Sequence, residues 1–383
     1  MKKIRNYNIS GSKYFILAVI FLVTIVITFI SMKFEQIMPS ATTMADATLP
    51  TVAMRTNEGT EFNLLHGYTL EFDSTLFYGN ITPVNKDRKL PIVIHTYGED
   101  VEEVSYRIRS LDDKSLIENT TVTDYTEDGD AINAILNIKN LIDTGKEYAL
   151  EVVLKTKNHD AVYYYTRIMY GGEYDLQKKI DFVLDFNSAT FDQSRSKEIA
   201  GYLETSSLGD NTNYGKVNIN SSISQVNWGD LEPFVESDIV PEVISVTDDV
   251  AIVRLDYKVG APNAYDSNDT YRVSEYYRIR QTSTGFYLLN YEREMNQIFD
   301  AKNDLTSSSK INLGINASDS VICDSDEKGV YTYFVNQGSL WCFNSSSKMF
   351  TRVFSFIGEE TDSVREGFDA HTIKIMDIQD NGD

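Results

Sequence analysis

The chain has 383 residues, 42% hydrophobic and 12% aromatic, with Tyr (24) and Phe (19) common and Pro (7) scarce, which marks a folding sequence biased toward strands. Its formal net charge is −22, and Lys2, Lys3, Arg5, Lys13 and Lys33 are the only charges before Glu35, so the remainder is more acidic still. A surface of that sign repels phosphate backbones and excludes nucleic acid as a partner.

Tyr14 to Met32 is a run of 19 residues without a charge. As a helix it spans about 28 Å, close to the hydrocarbon thickness of a bilayer. Four basic residues precede it and only Lys33 follows closely. Residues 1–13 are therefore expected to be a cytoplasmic stub and 14–32 a single transmembrane helix, with everything later extracellular. The small-x-small pair Ala45-Asp46-Ala47 lies well past the apolar run, which favours an uncleaved anchor over a signal peptide.

Residues 33–58 lack a period and read as a stalk or linker. Thr51–Thr56 and Thr60–Leu65 flank Asn57-Glu58-Gly59 and read as a hairpin. Residues 59–171 are a succession of strands with turn residues at spacings of about eight to twelve, the pattern of an antiparallel β-sandwich. Ile142-Asp-Thr-Gly145-Lys-Glu-Tyr148 resembles the corner before the penultimate strand of fibronectin type III and immunoglobulin-like domains. There a Tyr hydroxyl bonds back to nearby backbone. Thr144 stands where those families carry Pro, and the inter-sheet cysteines of antibody domains are absent. The resemblance implies a fold and no function.

Residues 172–300 change character. Asp175 is placed to cap a helix carrying Leu176, Ile180, Val183 and Leu184 on one face, and a second helix is expected over about Ser194–Glu204. Strands follow at Val250–Val259, Tyr271–Thr282 and Phe286–Arg293, the last two joined at Ser283-Thr284-Gly285. Helices before a meander predict an α+β domain, and the order is similar to that of NTF2-like domains. Residues 301–383 are again all strand. SVICDSD, VYTYFVN, SLWCFN and TRVFSF resemble one β-propeller blade, and HTIKIMDIQ reads as a fifth strand. Asp380-Asn381-Gly382 then reads as a turn with no returning strand, as if the chain were the front portion of a longer protein.

Chemistry-bearing motifs are scarce. His66, His95, His159 and His371 stand in no metal-ligand spacing, and no Gly-rich phosphate loop, nucleophile elbow or CxxC is present. No cofactor or metal is expected. Ser-x-x-Lys at Ser307–Lys310 and Ser345–Lys348 lacks its companion motifs, and Asp324-Ser-Asp326-Glu-Lys328-Gly329 reads as a β-turn, because Lys328 would repel calcium. Cys323 and Cys342 could form a bridge or stay free. Tyr163-Tyr164-Tyr165 could stack on sugars, although at most two share a face.

One charge pattern nominates a site. Arg254 and Lys258 share a face of one strand, and Arg272, Arg278 and Arg280 share a face of the next. Paired, they would gather five cations suited to an anionic polymer or a carboxylate ligand. The alternative is a solvated face neutralised by cross-strand acids.

The expected architecture is mainly β with an α+β middle domain: transmembrane helix, Ig-like sandwich, α+β domain and partial propeller-like blade. The expected function is a non-enzymatic, membrane-anchored extracellular binding or scaffolding protein of a bacterial cell envelope. Its partners would be envelope proteins or polysaccharide, one concrete version being an accessory to polysaccharide export or assembly. The alternatives are a glycan-active hydrolase, with its site in the propeller-like or middle domain, and a membrane signalling partner. The Ala47–Pro50 and Leu65–Thr69 stretches give the chain a resemblance to uncharacterised exported single-pass proteins of Gram-positive bacteria, which implies no activity.

Overall fold

The computed structural model describes residues 19–24, 37–38, 47–172, 174–263, 267–303, 310–313, 322–356, 365 and 371–378. Residues 1–13, most of 14–32 and most of the expected stalk lie outside the described residues. Residues 19–24 are helical and expose Val19, Ile20, Phe21, Leu22 and Val23. No helix among the described residues is long and apolar enough to cross a membrane.

The described residues are mainly β, arranged as four sheets. The first unit begins at β2 (Thr51–Arg55), after a two-residue strand β1 (Ile37–Met38) that pairs far away with the C-terminal sheet. β2 and β3 (Glu61–His66) form the expected hairpin around Asn57–Gly59, with Gly59 at φ +99° in the turn. β2 also pairs with β5 (Lys89–His95), so the sheet starts at Thr51, inside the segment read as a stalk. β8 (Tyr125–Asp128) and β9 (Ala131–Asn137) complete the order β3-β2-β5-β9-β8.

The facing sheet runs β4-β11-β10-β6-β7, from β4 (Ile81–Val84), β6 (Val101–Ser110), β7 (Leu116–Thr121), β10 (Glu147–Thr156) and β11 (Val162–Tyr170). β4 is parallel to β11, and the other pairings in the unit are antiparallel. Val52, Met54, Ile92 and Ile94 meet Tyr106, Ile108, Leu150 and Val152 in one core, as period-2 alternation requires. At the start of β10, the Tyr148 hydroxyl accepts from the Asp143 backbone N–H at 2.9 Å.

Residues 67–80 cross the outer face of this second sheet as a strap. Tyr68 and Tyr163 exchange backbone bonds at 2.9 and 2.8 Å, and Phe72 N–H donates to the Tyr165 hydroxyl at 2.8 Å. Gly67 permits the approach, since a Cβ there would lie 2.6 Å from Val162 Cγ1. The strap buries Ala149, Glu151 and Tyr165, which explains why most of β10 is buried on both faces.

The middle unit is a sheet of β12 (Lys216–Asn218), β13 (Phe234–Val235), β14 (Glu242–Val246), β15 (Val250–Pro262), β16 (Asn268–Thr282) and β17 (Gly285–Gln297). The three long strands alternate as read, with Val253, Leu255, Tyr257, Val259, Val273, Tyr277 and Ile279 buried. Helix α1 (Leu176–Thr190) lays Leu176, Ile180 and Val183 on that face. Asp175 does not cap it: its φ of +49° is left-handed, and its carboxylate accepts from Gln281 Nε2 at 2.9 Å and Lys178 Nζ at 3.0 Å. The second helix is shorter than expected, a 3-10 turn followed by α2 (Ser196–Ala200), and a further turn forms α3 (Ile223–Val226).

The first and middle units share one apolar core. Asn63 donates to the Ile81 carbonyl and Thr82 Oγ1, both at 3.0 Å, and its Oδ1 accepts from Val243 N–H at 2.7 Å. Lys179, fully buried, donates to the carbonyls of Tyr174 and Thr247 at 2.6 Å and of Asp248 at 2.9 Å. Burial pushes its pKa down.

The C-terminal sheet has a separate core around Phe299, Phe334, Trp341 and Phe350. β18 (Cys323–Ser325), β19 (Tyr331–Asn336), β20 (Ser339–Asn344) and β21 (Met349–Ser355) form an antiparallel meander. Asn336 fastens it to the end of β17, accepting from Phe299 N–H at 3.0 Å and donating to the Gln297 carbonyl at 3.3 Å. The expected fifth strand does not form: residues 371–378 carry no ladder, and Met376 is exposed. The turn at 380–382 lies outside the described residues.

Candidate binding surface

The ladder between β15 and β16 decides where the five nominated cations lie. Lys258 is opposite Arg272, Arg254 opposite Tyr276, Ile252 opposite Arg278 and Val250 opposite Arg280. Directly opposed residues share a face, so all five project from the side away from α1. The acids on that face do not distribute evenly. Arg254 pairs with Glu242 of β14 and, at 2.9 Å, with Asp256. Burial pushes the Glu242 carboxyl up, against the opposing pull of Arg254. Glu292 lies opposite Tyr276 and Glu294 opposite Ser274, and Glu294 pairs with Lys216 at 3.2 Å. Arg254 is thereby neutralised, and Glu292 and Glu294 add negative charge to the same face.

Arg278 and Arg280 differ. Both are exposed, and neither makes an ion pair or side-chain hydrogen bond among the described residues. Tyr287, 55% exposed, lies opposite Arg280, and Asn290 lies opposite Arg278. Two cations about 7 Å apart along the strand, beside an open aromatic ring, make a locally positive strip.

Sequence reasoning missed what stands behind that strip. Glu275 points inward and is fully buried. It accepts from the Tyr277 hydroxyl at 2.7 Å, the Tyr291 hydroxyl at 2.9 Å and Asn187 Nδ2 at 2.7 Å, while Asn187 also donates to the Tyr257 hydroxyl at 2.9 Å. Burial first, and the Glu275 charge second, raise the Tyr257 and Tyr277 pKa values well above the phenol range. Arg293, also fully buried, donates to the carbonyls of Val226 and Gln225 at 2.8 Å and lies 3.4 Å from the Trp228 ring centroid. The signal was present: Glu275 and Arg293 occupy inward parity positions between Val273 and Tyr277 and between Tyr291 and Met295. Through Asn187 the network fixes the sheet against α1.

The remaining motifs resolve as local structure. Tyr163 and Tyr165 share the outer face with rings 8° from parallel, while Tyr164 is buried and donates to the Pro50 carbonyl at 2.8 Å. Asp326 accepts from Gly329 N–H at 3.0 Å in a β-turn and from Tyr331 N–H at 2.7 Å through its carboxylate. Cys342 is buried, Cys323 exposed, and both are free. His95 meets Glu61 at 2.8 Å, and Glu61 also binds Arg55 at 3.1 Å. The His95 bond, then Arg55, hold the Glu61 carboxyl below its ordinary value. No group of three His, Cys, Asp or Glu among the described residues is placed to hold a metal. Against known proteins, no family matches the chain and no curated protein matches it.

Proposed function

We propose that this chain is a membrane-anchored, extracellular binding or scaffolding protein of a bacterial cell envelope, and that the Arg278–Arg280 strip contacts an anionic envelope polymer. The observation that carries the reading is two exposed, unpaired arginines in a chain of net charge −22. Long-range repulsion from so acidic a body disfavours polyanions generally, so binding must come from a local strip that the surrounding acids leave unneutralised. Residues 19–24 support the anchor, being helical with apolar side chains open to the surroundings. The strand order of the paired sheets, with β4 parallel to β11 and the Tyr148 corner, supports an immunoglobulin-like sandwich. Helices on one face of the β15–β17 meander support an α+β unit of NTF2-like order, and the β18–β21 meander supports a blade-like module.

The test is sedimentation of the full chain, in detergent, with cell-wall fragments bearing acidic polymer. The double variant Arg278→Glu, Arg280→Glu is expected to weaken binding about tenfold or more, with wild-type binding falling as salt rises. Unchanged binding by the variant removes the strip from consideration.

A further inference from the structure

A second surface, on the first unit, points to a ligand of different chemistry. Where the strap borders β6, a cleft of about 420 Å³ is lined by Glu71, Phe72, Asp73, Ser74, Arg109 and Lys114. Most of its charges are already matched. Glu71 accepts from Arg107 at 2.9 Å, Arg107 also binds buried Glu151 at 2.7 Å, and Asp73 accepts from Lys114 at 2.6 Å. Arg109 is the exception. It is partly buried, and its guanidinium makes no hydrogen bond or ion pair with any described residue, feeling at longer range the charge of Glu151, which Arg107 already binds. A guanidinium offers five donors in a planar fork, and withdrawing it from water without an acceptor is costly. Ser74 is 2% exposed, and its buried hydroxyl has no partner either. Phe72 lines the same cleft and is 44% exposed, its ring packed against Tyr68, Phe77 and Tyr165. An unmatched fork beside an open ring is the polarity of a site for a small anion carried on an apolar-faced body.

We propose that this cleft binds a carboxylate-bearing sugar unit, the carboxylate on Arg109 and one ring face on Phe72. A carboxylate fits better than a phosphate because Glu71 and Asp73 line the same walls, and the nearly two charges that a phosphate concentrates on one group would be repelled more strongly than the single charge of one uronate carboxylate. Planar carboxylate also matches the guanidinium fork with two parallel bonds. The cleft lies on a different unit from the Arg278–Arg280 strip, so the two assignments fail separately.

The experiment is calorimetric titration of the full chain with digalacturonate, with a neutral disaccharide and with inorganic phosphate. Digalacturonate is expected to bind saturably, and the neutral sugar and phosphate at least about tenfold more weakly. Arg109→Gln should weaken digalacturonate about tenfold, Phe72→Ala about threefold, and the Arg278→Glu, Arg280→Glu variant not at all. Absence of saturable binding, equal affinity for the neutral sugar, or phosphate binding as tight as digalacturonate overturns the proposal. So does undiminished binding by Arg109→Gln. Should that variant unfold, Phe72→Ala on the same cleft decides the outcome.

Discussion

Asn63 should be the most consequential single side chain between the first two units. It is fully buried, sits at φ +48°, and holds three partners on two units through its amide while its own N–H donates to the Pro241 carbonyl at 2.8 Å. Replacing it by Ala removes the acceptor of Val243 N–H and the donor to Ile81 and Thr82. A buried donor left without an acceptor costs about 1–3 kcal/mol, and the lost bonds on the donor side add about 1 kcal/mol. Ala in a left-handed conformation costs about 1 kcal/mol more than Asn, which tolerates it. Asn63→Ala should therefore destabilise by about 3–5 kcal/mol, and Asn63→Gly by about 1 kcal/mol less, since Gly carries no strain at that φ. Urea unfolding measures both. In a Trp341→Phe background, fluorescence reports Trp228, buried in the middle unit, while circular dichroism reports the strands as a whole. Because the two units share one core, the Trp228 signal and the part of the dichroism signal that those two units contribute should shift to the same lower midpoint. A loss under about 1 kcal/mol, or a Trp228 midpoint that stays put while the rest of the β signal melts earlier, would refute the coupling.

Three further outcomes follow from buried or exposed chemistry. His66 has its pKa lowered to about 4 by burial, below its unfolded value of 6.5. The unfolded chain therefore takes up the proton first: this contribution to stability is complete above pH 6.5 and falls away as pH drops toward 4. At about 1.4 kcal/mol per pH unit the loss is on the order of 3 kcal/mol, and His66→Gln should flatten that limb of the stability–pH curve. A wild-type and variant that lose stability in parallel across the window would contradict this. Glu275→Gln sets an amide N–H₂ against the donors of Asn187 or a tyrosine, and should cost about 2–3 kcal/mol in urea unfolding; a neutral effect would mean the carboxylate is not the hub of that network. Exposed Cys323 should react with a maleimide in the native protein and buried Cys342 only on unfolding, read by mass spectrometry of the labelled peptides. Burial first, and Asp324 second, push the Cys323 thiol up, so its labelling should accelerate steeply above pH 8.5; equal labelling of both thiols would place Cys342 outside the core.

What could be read in advance follows from length and locality. Thirteen- and fifteen-residue strands such as β15 and β16 show their period plainly, and α1 shows its own over four turns. β12, β13 and α3, with two to four residues each, are too short to carry any period. The five cations were legible as one face because parity within a strand, plus pairing of neighbours, is local information. Neutralisation by cross-strand acids stood as the alternative, but which acid would reach Arg254 was not legible, because Glu242 comes from β14. Asp175 looks like a cap by residue type, yet its left-handed backbone turns the carboxylate toward Lys178 and Gln281. The cleft at Arg109 was invisible, since its walls come from residues 71–74 and 109–114 and meet only through the strap.

The display of the Arg278–Arg280 strip depends on an irregularity in the next strand. From Tyr271 to Arg278 the β16–β17 ladder is regular, so Tyr277 and Tyr291 face inward together and Arg278 faces outward with Asn290. Between Arg278 and Ile279 the register shifts, and Leu289 is the extra residue. Without it, strict alternation from inward Tyr291 would turn Leu288 to solvent and Tyr287 into the core. With it, Leu288 is 5% exposed beneath Ile279, and Tyr287 comes out beside Arg280. A bulge interrupts the ladder and leaves a residue unpaired, so its presence has to be offset by neighbouring contacts. The buried Glu275 network, one to three residues away on the same strand, supplies them. It pins the register of β16 from inside, because a one-residue slip would carry Glu275 to solvent and both arginines into the core. The inner carboxylate and the outer cations are thus two consequences of a single register, and the bulge alone sets which aromatic ring stands beside them.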